Sequence, residues 1–256
     1  MFSIYHLLWL ALCAVLFVFC TWMLRRKNPP LKKVLNLCCA AAILSELTKV
    51  FSVISLVPSA DGTYLYPYMK LQHLPFHLCS IQILFIFYVR FADDSRFRTA
   101  LLAFMYPSCL LGALCAIAIP SIFSGSVVPE QSFTTPLAYQ YFLYHVMLAV
   151  LGLYIYQSGQ VRILSKHYFS SLAFVFSLGF LSLYLNSAFA VPTYEDGQLI
   201  SVEYTTNFFF TYQPPIHVQL TQLWQWYLYL GILAGLAMLA IGILYLPIFR
   251  RDRRKS

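Results

Sequence analysis

Apolar residues fill the chain in seven long runs separated by shorter polar connections. Each run holds about 20 residues, enough for a helix to cross a hydrocarbon core about 30 Å thick. The pattern predicts an all-α fold, a polytopic transmembrane helix bundle of about seven spans, as a single integral membrane domain over residues 1–256. The predicted spans are residues 4–24, 34–57, 73–91, 99–123, 137–157, 168–190 and 223–249.

The composition excludes a soluble globular protein. Hydrophobic residues make up 60% of the chain and charged residues 10%, with a mean hydropathy of +0.71, whereas a soluble domain is about 25% charged. The first run is not a cleaved signal peptide, because no basic residue precedes it and Arg25, Arg26 and Lys27 follow it as a stop-transfer flank. No internal repeat is visible, which argues against an inverted-repeat transporter.

The basic residues predict the orientation. Fifteen of the 17 lie in the connections after the first, third and fifth spans or in the C-terminal tail, all on one side of a seven-span protein. That side is cytoplasmic by the positive-inside rule, so the N-terminus is outside. The same distribution explains the net charge of +8 without a nucleic-acid partner, and we expect a multi-pass protein of the plasma membrane. The two remaining basic residues are Lys49, within the second span, and Lys70, on the outer face.

Ionisable side chains within the spans are candidates for function, because burying them in lipid is costly. Glu46 and Lys49 lie three residues apart on the second span, so they share a helix face and can neutralise each other. Two interpretations remain open for Glu46. It either orients the helix through this ion pair or serves as the partner of a histidine or a proton.

The third span opens with His73-Leu74-Pro75-Phe76-His77-Leu78-Cys79. Pro75 suits the first turn of a helix, where its missing N–H is no loss. In a regular helix His77 and Cys79 lie about 200° apart, so a base for the Cys79 thiol must come from another helix. Gln82, one turn further on, lies on the same stripe as Cys79.

His145 is the candidate base. It lies about two turns into the fifth span, which enters from the outer face as the third span does, so His77, Cys79 and His145 all fall in the outer half of the bilayer. A buried histidine bonded to a backbone carbonyl is the structural alternative. Metal binding by His73, His77, Cys79 and His145 is another, although Cys79 points away from the two neighbouring histidines.

An aromatic, uncharged segment at residues 204–215 precedes the seventh span and is too short to cross the membrane. We expect it to be re-entrant or interfacial and to cover the helix bundle, with Asn207 presenting its amide to the site. A plain aromatic belt at the membrane interface is the alternative.

The sequence resembles the YwaF-type bacterial integral membrane proteins from the second span to the seventh. The resemblance lies in Glu46, Leu74 to Cys79, Tyr141 to Leu148 around His145, and Asn207 before Pro214-Pro215. That family includes animal relatives described as cysteine-centred acyltransferases acting on phospholipids. In those relatives the reactive cysteine directly precedes the histidine, and Phe76 takes that position here.

The resemblance implies a membrane acyltransferase that moves a fatty acyl chain between glycerophospholipids through a Cys/His pair. Cys79 is then the nucleophile and His145 takes its proton, while His77 or Asn207 donates a hydrogen bond to the oxyanion. Glu46 and Gln82 are expected to support the site. The substrates are membrane phospholipids, which already lie in the leaflet, so we expect no cofactor and no metal.

A non-enzymatic seven-helix protein is the alternative class. Its polar His/Glu pocket would serve transport, proton movement or the binding of a small ligand. A retinal protein is excluded, because the seventh span has no lysine to form a Schiff base.

Overall fold

The structure, a computed structural model, describes residues 3–124, 126–215, 218 and 220–254. Seven α-helices follow one another in this part of the chain: α1 Ile4–Lys27, α2 Leu31–Val53, α3 Leu78–Phe91, α4 Arg96–Ala118, α5 Pro136–Gln157, α6 His167–Ala188 and α7 Leu223–Arg253. Six of them are long and apolar enough to cross a membrane, and α3 is shorter, with 14 residues. The predicted all-α membrane bundle is confirmed. Lys255 of the basic tail lies outside the described residues.

Helices α4 and α5 form the centre of the bundle. Helix α4 contacts α3, α5, α6 and α7, while α5 also contacts α1 and α2. Gly152 of α5 allows this approach, because a Cβ at its position would lie 2.8 Å from the backbone oxygen of Tyr106 and 2.9 Å from the backbone nitrogen of Leu110. The two backbones are therefore in direct contact, as small residues permit in membrane bundles.

A proline within α4 creates the attachment point for α6 and α7. Pro107 has no N–H to donate to the carbonyl of Ala103. That carbonyl instead accepts hydrogen bonds from the Tyr245 hydroxyl at 3.0 Å and the Ser171 hydroxyl at 3.4 Å. A backbone group that would be costly to leave unpaired in lipid is thereby satisfied by side chains of neighbouring helices.

Two exposed β-hairpins, absent from the sequence prediction, lie on the predicted outer side, where α2, α4 and α6 end. Strand β1 (Ser55–Pro58) pairs antiparallel with β2 (Leu65–Tyr68), and β3 (Val191–Glu195) pairs antiparallel with β4 (Gln198–Glu203). The second hairpin turns at Asp196 and Gly197, which have φ angles of 48° and 78°. Positive φ at both positions of a two-residue loop is the geometry of a type I′ turn, and Asp-Gly is one of its preferred sequences.

Several predicted span ends are wrong at this outer side. Helix α2 ends at Val53 rather than at residue 57, because Ile54 is already extended and leads into β1. Helix α4 ends at Ala118 rather than at residue 123, since Pro120 restricts the residue before it and a separate 3-10 turn follows at Ser121–Ser124. Helix α6 ends at Ala188, two residues early, where the second hairpin begins.

The third span departs most from its prediction, because α3 begins at Leu78 rather than at residue 73. Leu74 is extended, with ψ 148°, as expected for a residue before proline. His77 is extended too, with ψ 153°, and forms the N-cap of α3. Pro75 therefore precedes the helix instead of lying in its first turn, and the 200° separation of His77 and Cys79 does not apply.

Candidate functional site

Cys79 is the second residue of α3, at the outer end of that helix. Its side chain packs against α4 at Gly112, where an added Cβ would lie 3.4 Å from the Cys79 sulfur. The Cys79 backbone carbonyl accepts a hydrogen bond of 2.9 Å from the Tyr144 hydroxyl of α5. Within the described part of the chain, the thiol itself takes part in no hydrogen bond and no disulfide. Cys79 is therefore a free, half-buried thiol held between α4 and α5.

His145 lies on α5 and is 7% exposed. Its Nδ1 is 2.6 Å from the carbonyl oxygen of Tyr141. A carbonyl can only accept, so Nδ1 carries the proton and, in the neutral ring, Nε2 holds a free lone pair. No hydrogen bond within the described residues involves Nε2. The carbonyl bond expected of a structural histidine is thus present, and it leaves Nε2 able to act as a base.

The register of α4 against α5 determines the depth of His145. Gly152 faces Tyr106 and Leu110, and about three turns earlier in α5 the Tyr141 hydroxyl donates to the carbonyl of Ala116 at 3.1 Å. Because the helices are antiparallel and rise 1.5 Å per residue, His145 lies at about the level of Ala113.

Cys79 and His145 therefore lie at similar depths on two different helices, α3 and α5, that both pack against α4. Cys79 contacts Gly112 from α3, and His145 is level with the next residue, Ala113, from α5. We call Cys79, Tyr141, Tyr144 and His145 the thiol–imidazole cluster. Tyr144 links its two halves, since its hydroxyl binds Cys79 and its ring lies 5.8 Å from the His145 ring. Tyr144 was not predicted as a site residue, although it places a hydroxyl directly beside the candidate base in an apolar span.

Gln82 joins α3 to α4 one turn below Cys79 and is fully buried. Its Nε2 donates to the Ser108 hydroxyl at 3.0 Å, and its Oε1 accepts from the Cys109 thiol at 3.2 Å. Both ends of the amide are engaged, so Gln82 holds α3 in register with α4. It supports the position of Cys79 without touching its sulfur.

Glu46 forms a salt bridge of 2.8 Å with Lys49 on α2. The ammonium of Lys49 is 12% exposed and the carboxylate of Glu46 29% exposed. The predicted i, i+3 ion pair is confirmed, and it occupies both carboxylate oxygens of Glu46. Helix α2 is tied to α5 nearby, where Gln140 donates to the Ser45 hydroxyl at 2.7 Å.

The segment at residues 204–215, which we call the aromatic cap, covers the chain leading into α3. Phe208 of the cap is fully buried. Its ring meets the ring of Phe76 edge-on at 5.6 Å and that of His77 at 4.9 Å. Phe76 and His77, in the chain just before α3, therefore pack against the cap. The expectation that this segment covers the bundle is confirmed.

Asn207 organises the cap itself. Its Nδ2 donates to the carbonyl of Gln213 at 2.8 Å, and its Oδ1 accepts from the backbone N–H groups of Tyr212 and Gln213. The amide is therefore used within the cap, and the side chain is placed to shape the loop.

Asn186 of α6, which was not predicted as a site residue, anchors the cap. Its Nδ2 donates to the Phe208 carbonyl at 3.1 Å and to the Thr211 hydroxyl at 3.0 Å. Its Oδ1 accepts from the Phe208 N–H at 2.8 Å and from the Thr206 hydroxyl at 3.0 Å. All four hydrogen-bonding positions of this buried amide are filled. A lone asparagine in an apolar span was the signal that could have found it.

We expect Asn186→Ala to release the cap, because it leaves the buried N–H of Phe208 without its partner. Chymotrypsin should then cut at the cap aromatics about tenfold faster, corresponding to the loss of about 1.4 kcal/mol of local stability, within the range for an unsatisfied buried group. The readout is the rate of limited proteolysis of the protein in detergent. Asn36→Ala, on the inner side, is the matched control, and equal cutting rates in the two variants would contradict the anchoring role.

Metal binding receives no support from the geometry. Within the residues that the structure describes, no group of three or more His, Cys, Asp or Glu side chains is placed to hold a metal ion. Two surface grooves of about 380 and 360 Å³ lie away from the thiol–imidazole cluster, one along α6 and α7 at Tyr168 and Gly242 and one at the inner end beside Asp252.

Comparison with known proteins gives a family. No curated protein and no solved structure matches the chain. A family model, described as the TMEM164 family, matches residues 1–245. That match covers almost the whole chain, including every helix that builds the cluster and the cap. The chain is therefore a member of the TMEM164 family, a family of membrane proteins.

Proposed function

We propose that the protein is an acyltransferase of the plasma membrane that moves a fatty acyl chain between glycerophospholipids. The observation that carries the proposal is that Tyr144 of α5 joins a free thiol to a histidine with an unengaged ring nitrogen. The Tyr144 hydroxyl donates to the backbone carbonyl of Cys79, and within the described residues the neighbouring His145 is bonded only through Nδ1. The resemblance to YwaF-type proteins, with their cysteine-centred animal relatives, supports the same chemistry. We assign Cys79 as the nucleophile and His145 as the general base.

In the first half of the reaction His145 Nε2 takes the proton of the Cys79 thiol. The thiolate attacks the ester carbonyl carbon of a phospholipid and forms a C–S bond. The ester C–O bond then breaks, the departing glycerol oxygen takes the proton from the imidazolium, and a lysophospholipid leaves. The acyl chain remains on Cys79 as a thioester.

The second half runs in the opposite direction with another lysophospholipid. Nε2 of His145 takes the proton of the acceptor hydroxyl, whose oxygen attacks the thioester carbonyl. The C–S bond breaks and the thiolate recovers its proton from the imidazolium. The proposed reaction requires no cofactor, because one ester bond is exchanged for another.

The depth of the cluster supports a lipid substrate. Cys79 lies at the outer end of α3, and the ester groups of a glycerophospholipid lie just below the headgroups. The apolar surroundings of α3 and α4 exclude water, which strengthens hydrogen bonds to a developing oxyanion. We propose His77 as the donor, since it precedes α3 directly and faces the cap, with Asn207, Glu46 and Gln82 in supporting roles.

Phe76 is the point where this chain differs from the animal relatives. It occupies the position of their reactive cysteine, and here its ring packs against Phe208. Cys79 is placed further along, inside the first turn of α3 and against α4. We propose that the nucleophile has moved to this position, where the base from α5 is at the same level.

The test is acyl exchange in reconstituted vesicles with an isotope-labelled phospholipid donor and a lysophospholipid acceptor, measured by mass spectrometry. His145→Ala should lower the exchange rate by about 10²–10⁴-fold, the usual contribution of a general base. His167→Ala, at the inner start of α6, is the matched control and should keep the wild-type rate.

Exchange no higher than in empty vesicles, across several headgroups, would contradict the proposal. It would leave the polar residues to transport or to ligand binding, the alternative class. A protein of that class would keep its activity when Cys79 is replaced by serine.

A further inference from the structure

Only two of the 17 Lys and Arg residues lie away from the predicted cytoplasmic side. The β1–β2 hairpin brings the chain that carries Lys70 back to the end of the helix that carries Lys49. Lys49 is in the last turns of α2, and Lys70 begins the 3-10 turn Leu71–His73 that leads toward α3. The hairpin of β1 and β2 connects these two points and returns the chain to the outer end of α2. The hairpin therefore places Lys70, two residues after Tyr68, beside the end of α2.

The charges of both lysines act on His73. Its backbone N–H donates to the Lys70 carbonyl at 3.0 Å, which closes the 3-10 turn. Burial first, and then the nearby charges of Lys49 and Lys70, lower the pKa of His73. The imidazole is therefore neutral at pH 7 and offers one N–H beside the two ammonium groups.

The charges of this group do not cancel. Glu46 neutralises Lys49 at 2.8 Å, and Lys70 takes part in no salt bridge within the described residues. The uncompensated positive charge is that of Lys70, which is exposed. The side chain of Lys49 is largely buried. An ammonium has three N–H donors and Glu46 has two oxygens, so at least one donor of Lys49 also remains.

We propose that Lys49, Lys70 and His73 form a phosphate-binding subsite that holds the headgroup phosphodiester of a lipid substrate. A phosphodiester carries one negative charge and its free oxygens accept hydrogen bonds, which matches one uncompensated cation and several N–H donors. Two of its members, Lys70 and His73, precede Cys79 by nine and six residues along the chain, on the predicted headgroup side of the thiol. The identification of the ligand as a substrate rests on the proposed acyl transfer.

The experiment measures binding, so that it is independent of turnover. Full-length Cys79→Ala protein in detergent is mixed with 1-palmitoyl lysophosphatidylcholine, with 1-palmitoylglycerol or with inorganic phosphate. Binding is followed by native mass spectrometry and by the shift of the apparent Tm. The lysophospholipid should bind more tightly than the glycerol, which carries the same chain without a phosphate.

Lys70→Gln should weaken lysophospholipid binding about threefold to tenfold and leave 1-palmitoylglycerol binding unchanged, as expected for loss of one partly exposed charged contact. Lys33→Gln, at the inner end of the same α2, is the matched control. Lys70 is exposed, so its replacement should leave folding intact. Lys49→Arg, which keeps the pair with Glu46, should retain binding.

The results distinguish a lipid headgroup from a free phosphate ion as the ligand, and they test the subsite separately from the proposed acyl transfer. A response to inorganic phosphate that Lys70→Gln removes supports the subsite and assigns it to a free anion. Equal binding of both palmitoyl lipids, or no effect of Lys70→Gln, overturns the subsite. Phosphate-dependent binding in a protein that shows no acyl exchange keeps the subsite and contradicts only the proposed acyl transfer.

Discussion

Wild-type protein given a phospholipid donor and no acceptor should accumulate one acyl group on Cys79. Added albumin removes the lysophospholipid that the first half releases, so no acceptor hydroxyl is left for the second half and the thioester persists in a site from which water is excluded. The measurement is the intact mass of the protein, which should rise by one acyl group and return to its starting value after treatment with neutral hydroxylamine, a reagent that cleaves thioesters.

Cys79→Ala should abolish this adduct and lower acyl exchange by about 10³-fold or more, because removal of a nucleophile removes the covalent route altogether. Cys115→Ala is the matched control, since Cys115 is an exposed free thiol on α4 near the same level. An adduct that survives in Cys79→Ala, or that disappears in Cys115→Ala, would show that the nucleophile is elsewhere.

Gly152→Ala should destabilise the protein by about 3 kcal/mol, the upper part of the range for overpacking a core. The added Cβ would meet the backbone of α4 at 2.8 and 2.9 Å. A backbone cannot rotate away as a side chain can, so α4 and α5 must move apart. That movement also separates Ala113 from His145, and acyl exchange should fall with the stability.

The control is Gly179→Ala on α6, where no atom in the described structure lies within 4 Å of an added Cβ. Alanine is a better helix former than glycine by about 1 kcal/mol, so this variant should be as stable as the wild type or more so. Unfolding in mixed micelles, followed by circular dichroism, measures both. Equal midpoints for the two variants would mean that α4 and α5 are not in backbone contact.

An interaction in the site could be predicted from the sequence when both of its residues lie on the same helix or turn. The ion pair of Glu46 and Lys49 follows from their spacing on a helix, and the structure confirms it. The Asp196-Gly197 pair is an equally local signal for a type I′ turn. The hairpin was nevertheless not predicted, because the apolar runs of the chain favour helices. The sequence shows Asn186 as a polar residue in an apolar helix. It does not show the hydrogen-bond partners of Asn186, which lie in the cap beyond a hairpin.

The segment before α3 shows where local reasoning fails. Pro75 is compatible with a first helical turn or with an extended approach to a helix. Contacts of Phe76 and His77 with Phe208, far along the chain, accompany the extended conformation. The assumed angle between His77 and Cys79 was wrong for this reason, although the conclusion that the thiol needs a base from another helix remains a prediction.

The all-α membrane bundle follows from the chain alone, because lipid offers no hydrogen bonds and every apolar run must satisfy its own backbone. Six of the seven helices in the described residues are long and apolar enough to cross a membrane. The expected orientation rests likewise on the basic residues of the connections. The partners of Cys79 do not follow from the chain, since they depend on the register in which α3 and α5 pack against α4. That register is set by Gly152, Gly112 and the Gln82 amide, whose contacts exist only once the helices have come together.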